Sequence, residues 1–112
     1  MESCTVLDRA AACDRLGLEE DLIDELAHSL LERSRETLAE IAAALQSGQF
    51  HRAEDGAHSI KGSAATLEAN DLAAAAQRLE LLARSKVFDQ CQDAWQELNV
   101  ALDKLAAVLG SE

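Results

Sequence analysis

Residues 57–67 read AHSIKGSAATL, which places His58, Lys61 and Gly62 within five positions of one another. An imidazole ordinarily titrates near a pKa of about 6.5, so at neutral pH a large share of it is uncharged and offers a nucleophilic lone pair. A lysine three residues on supplies a positive charge suited to an anion carried by that ring. A glycine inside a helix costs about 1 kcal/mol relative to alanine, which marks a position where the absence of a side chain matters more than stability. Histidine, lysine at plus three and glycine at plus four together describe a group that accepts and hands on a phosphoryl group. The chain has no Walker A loop and no kinase glycine-rich loop with which to hold ATP. Such a group depends on a partner at both ends of the transfer.

The elements that must position these residues are helical. Ala, Leu, Glu and Gln dominate, proline is absent, and apolar residues recur at helical spacing. The pattern predicts a short helix over residues 5–16 stopped by Gly17, and a long one over 19–46 closed by Ser47 and Gly48. In the long helix Leu22, Ile23, Leu26, Leu30, Leu38, Ile41 and Leu45 form the apolar stripe. A third helix is expected over 50–67, a fourth over 71–84 with Asn70 as its N-cap, and a last one over 89–109. Each long helix has one apolar stripe to bury. The expectation is an all-α fold, an up-and-down antiparallel four-helix bundle with a short additional N-terminal helix, forming a single domain over residues 1–112. Trp95, Phe50 and Phe88 are read as core residues, His28 as a boundary residue, and a monomer is expected because the four stripes can satisfy one another.

At about 100° per residue, Phe50, Ala53, Ala57, Ile60, Ala64 and Leu67 gather on one side of the third helix, and His58 lies roughly 140° from the centre of that stripe. It therefore faces solvent. Its neighbours on the outer surface are Lys61 and Gly62 in one direction and Glu54 and Asp55 in the other. Gly62 and Ala65 leave a bare patch beside the ring, while the two acids would repel a dianionic phosphoryl group that Lys61 must offset. Ser59 and Ser63 fall off the His58 face and receive no chemical role. Two other readings stand beside phosphotransfer. A solvent-facing histidine is often only a solvated residue, and His51, Glu54, Asp55 and His58 have a spacing that could bring two imidazoles and a carboxylate to one face for a metal. Against the metal stands the lack of an HExxH pattern and of ligands converging from a second helix.

Composition narrows the partners. Ten Lys plus Arg against 21 Asp plus Glu give a formal charge of −11, which repels nucleic acid and anionic membrane surfaces. Cys4, Cys13 and Cys91 have no CxxC spacing, so neither a disulfide framework nor a zinc knuckle is indicated. Cys13 and Cys91 are read as core or boundary positions and Cys4 as exposed. No stretch approaches the roughly 20 apolar residues of a membrane span, and the N-terminal residues lack the form of a signal peptide. A cytoplasmic location is expected.

The segment HSIKGSAATL, followed by Leu72, Leu79 and Glu80, resembles the histidine-containing phosphotransfer (HPt) domain of bacterial and eukaryotic phosphorelays, whose motif is approximately His-x-Leu-Lys-Gly followed by two small residues and, further on, Leu-Gly. The resemblance covers most of the chain. It implies that His58 is the phosphorylated histidine, that Lys61 lies next to the phosphate, and that Gly62 leaves room for a docking receiver domain. Ile60 takes the place of the family's leucine, Ser63 and Ala64 match the small pair, and Glu68 stands where the family commonly has glycine. By the same resemblance the fold is a four-helix bundle with its histidine exposed midway along one helix. Its chemistry relays phosphoryl groups between aspartates of response-regulator receivers, with no tightly bound cofactor and with Mg²⁺ on the partner receiver. A hybrid sensor histidine kinase is a further class of partner. A helical adaptor that binds a receiver or kinase without carrying phosphate is the alternative function.

Overall fold

A computed structural model describes residues 5–110. Five helices follow one another: α1 (Arg9–Leu16), α2 (Glu20–Gln46), α3 (Phe50–Thr66), α4 (Asn70–Ser85) and α5 (Phe88–Leu109). Among the described residues there is no strand. Helices α2 to α5 form the up-and-down bundle, and the short α1 packs on α2.

The stripes meet as their spacing requires. Ile23, Leu30, Leu38, Ile41 and Leu45 of α2 are buried with Ala53, Ala57, Ile60 and Ala64 of α3, Leu72, Ala76 and Leu79 of α4, and Leu98, Leu102 and Leu105 of α5. The face of α3 is built almost wholly from small residues, so its neighbours come close. Gly56 shows how close: a Cβ there would lie 2.8 Å from Ile41 Cγ1 and 3.2 Å from Thr37 Cγ2. Gly56→Ala gains helix propensity of about 1 kcal/mol but overpacks a buried isoleucine at a cost of about 1–3 kcal/mol. A net loss of about 1 kcal/mol is expected, to be read as a lowered urea midpoint with an unchanged m-value. On the opposite flank the Trp95 indole N–H donates to the Leu38 carbonyl at 2.8 Å and ties α5 to α2.

Four local expectations are corrected. Residues 5–8 are not helical, because Asp8 accepts the Ala11 amide as N-cap and thereby starts α1 at Arg9. Asn70 is the first residue of α4, not its cap: its side-chain amide donates to Thr5 Oγ1 at 3.0 Å, and the Thr5 carbonyl accepts the Asp71 amide at 2.8 Å. Phe88 opens α5 and is 39% exposed, since it precedes Cys91, the first buried residue of that helix. Leu22 and Leu26 are 45% and 43% exposed, set to one side of the buried Ile23, Ala27 and Leu30. Trp95 and Phe50 are half-buried against the core, His28 is half-buried, Cys91 is buried and Cys13 half-buried. Cys4 lies outside the described residues. No helix among those described is long and apolar enough to cross a membrane.

At the α3–α4 corner Glu68 adopts a left-handed backbone with φ of 60°. That is the conformation glycine takes without strain, so the position is one that the family's glycine would fit. The glutamate is held there by two contacts: its carbonyl accepts the Asp8 amide at 3.0 Å, and its carboxylate pairs with Arg15.

Candidate functional site

His58 sits midway along α3 with its side chain 67% exposed. Its Nδ1 lies 2.9 Å from Oε2 of Glu80, a carboxylate on α4 whose side chain is only 7% exposed. Lys61, one turn further along α3, places Nζ 2.8 Å from Glu80 Oε1. Arg84, one turn along α4, donates from Nε to Glu54 Oε2 at 2.9 Å and brings Nη2 to 3.5 Å from Glu80 Oε2. One buried carboxylate under the imidazole thus gathers the histidine and two cations.

The charge state of Glu80 follows from these neighbours. The Lys61 contact is the largest influence and lowers its pKa below the ordinary 4.5, burial acts the other way, and the His58 hydrogen bond adds to the lowering. An ionised carboxylate only accepts hydrogen bonds, so Nδ1 must carry the ring proton. That tautomer leaves the Nε2 lone pair free on the solvent side. Lys61 Nζ closes a 2.8 Å ion pair with Oε1, so its ammonium is held at the edge of the site beside the ring.

A depressed carboxylate pKa has a consequence for stability. Glu80 binds a proton more readily in the unfolded chain than in the folded one. Its contribution is thus complete above about pH 4.5 and is lost as pH falls through the lower folded value. In thermal melts over that acid window the wild type should lose stability more steeply than Glu80→Gln, and parallel curves would contradict the ion-pair account.

The two helical glycines of α3 do different work. Gly56 is required by the packing against α2, whereas a Cβ at Gly62 would meet nothing within 4 Å. Among the described residues no contact asks for glycine at position 62. Ile60 points into the core at 3% exposure, and Ser59 lines the groove between α2 and α3, away from the ring.

Of the acids expected to oppose an anion on His58, Glu54 is paired with Arg84, while Asp55 is exposed to solvent with His51 Nε2 at 3.4 Å. His51, Glu54, Asp55 and His58 do not converge, and among the described residues no group of three or more His, Cys, Asp or Glu is placed to hold a metal ion. Glu80 and Arg84 were assigned no chemistry from the sequence. A signal existed for the first: Glu80 adjoins Leu79 on a stripe with Leu72, Ala76 and Ala83, and a buried carboxylate at the edge of an apolar stripe requires a cationic or hydrogen-bonding partner.

The whole bundle has a counterpart among solved structures. The histidine-containing phosphotransfer protein B (HptB) from Pseudomonas aeruginosa PAO1 superposes with a TM-score of 0.83 at 24% identity, over 96% of this chain and 94% of that one, and shows the same fold. No curated protein sequence matches the chain. The family model of the Hpt domain matches residues 25–108, a span that contains His58, Lys61, Gly62, Glu80 and Arg84, and the chain belongs to the Hpt domain family.

Proposed function

We propose that His58 is the residue that carries the phosphoryl group in the histidine phosphotransfer this family performs in phosphorelays. The observation that supports it is the His58–Glu80 pair, which fixes the tautomer and leaves Nε2 unobstructed. In the transfer the Nε2 lone pair forms a bond to phosphorus, in line with the leaving oxygen. The P–O bond to the partner's aspartate breaks, and its electron pair stays on that carboxylate. Nδ1 keeps its proton, so the ring becomes cationic as the bond forms, and ionised Glu80 stabilises that charge as a triad aspartate stabilises its imidazolium. The reverse step, onto another receiver's aspartate, retraces the same path.

Lys61 turns from Glu80 Oε1 to the phosphoryl oxygens, a move its flexible four-carbon stem permits. Gly62 keeps the adjoining surface low, so that a receiver can bring its aspartate to Nε2. The receiver supplies the Mg²⁺ that neutralises the phosphoryl charge. Receiver domains, and a hybrid sensor kinase that contains one, are the partners this reading requires. Leu22 and Leu26 are exposed apolar residues of α2 that a docked receiver can cover.

The experiment is incubation of the chain with an aspartyl-phosphorylated, Mg²⁺-loaded receiver. Intact mass, acid and alkali stability of the product, and the tryptic peptide that carries the phosphate are then recorded. Acid-labile, alkali-stable phosphate on the peptide of residues 53–61 supports the assignment. Stable binding of receivers with no transfer, under conditions where those receivers load a known acceptor, would favour the adaptor reading.

A further inference from the structure

Glu54 precedes His58 by one helical turn, on the side of the ring away from Lys61. A carboxylate there would oppose both the arrival of a phosphoryl group and its residence on Nε2. Lys61 cannot answer it, because it is on the far side and engaged with Glu80. Arg84 does: its Nε donates to Glu54 Oε2 at 2.9 Å, while Nη2 lies 3.5 Å from Glu80 Oε2. A planar guanidinium can hold two carboxylates on different helices at once, which an ammonium does less well. Glu54 is half-buried, so its charge is only partly screened by solvent.

We propose that Arg84 is a positioning residue of the phosphotransfer site, which cancels the charge of Glu54 and thereby keeps that carboxylate from repelling the phosphoryl group on His58. The inference rests on the assignment of His58 as the carrier. It does not require Arg84 to touch the phosphoryl group. Lys61 is then left as the site's own ligand to the phosphate, with the neighbouring acid silenced. Asp55 is the more exposed of the two acids, and solvent screens its charge.

Four proteins test it: the wild type, Glu54→Gln, Arg84→Gln and the double variant. Each is loaded from the same phosphorylated receiver across a series of salt concentrations, with melting curves to confirm the fold. Arg84→Gln should load about five- to tenfold more slowly at low ionic strength, with the deficit shrinking as salt screens Glu54. Glu54→Gln should load at least as fast as the wild type. The double variant should recover to within about twofold of Glu54→Gln, since the charge that needed cancelling is gone. A double variant as slow as Arg84→Gln would overturn the inference and place the guanidinium on the phosphoryl group or on Glu80 instead. Unaltered loading by Arg84→Gln would also overturn it. A wild type that takes no phosphate from active receivers would instead refute the assignment of His58, an outcome separate from both.

Discussion

His58→Gln should reduce phosphate uptake from a phosphorylated receiver to background, a loss of at least about 10³-fold, because it removes the ring nitrogen that is held over buried Glu80 and turned to solvent. The substitution suits the purpose, since the side chain is mostly exposed and glutamine can still donate to Glu80. The melting temperature should therefore change little, and the loss cannot be assigned to unfolding. His51 is the control. It is more exposed than His58 but faces only the surface carboxylate Asp55, so His51→Gln should load normally. Persistent labelling of His58→Gln, with the phosphate mapped to another histidine, would refute the assignment.

Glu80→Gln should slow loading by about 10- to 100-fold while leaving the bundle folded. The amide oxygen can accept the Nδ1 proton and so preserves the tautomer. What it removes is the negative charge opposite the ring as the ring becomes cationic, together with the anchor for Lys61 and Arg84. The same loss should lengthen the life of the phosphohistidine, because a ring less able to hold its proton is a poorer leaving group. Slower loading with faster decay would mean that Glu80 acts only as scaffold. Rates within about twofold of wild type would mean that solvent supplies the counter-charge.

These two residues were unequally legible in the sequence. His58 could be read because helical spacing alone decides which side of α3 it faces, and because Lys61 and Gly62 are local to it. Glu80 belongs to another helix 22 residues away, and its role depends on how α3 and α4 align. Spacing within α4 shows a glutamate at the edge of an apolar stripe but not which cation answers it. The same limit explains Arg84 and Glu54, a pair that only the packing of the two helices brings together. Helix ends show it on a smaller scale. Gly17 was readable because a left-handed stop is a local matter, whereas the start of α4 depends on Thr5, 65 residues from its partner Asn70. The exposed Leu22 and Leu26 mark the reverse error, in which an apolar residue beside the stripe was read as part of it although Ile23 and Ala27 take the buried positions at that level.

Residues 5–8 precede the span that matches the family, yet they are joined to it through backbone. The Thr5 carbonyl holds the first-turn amide of α4 at Asp71, and the Asp8 amide holds the carbonyl of strained Glu68. A chain trimmed to the matched residues 25–108 would open both bonds, and α4 would fray from the end that leads towards Glu80. The span matched by the family is therefore narrower than the hydrogen-bonded structure, and an arm outside it closes the start of the helix that carries the carboxylate beneath the histidine.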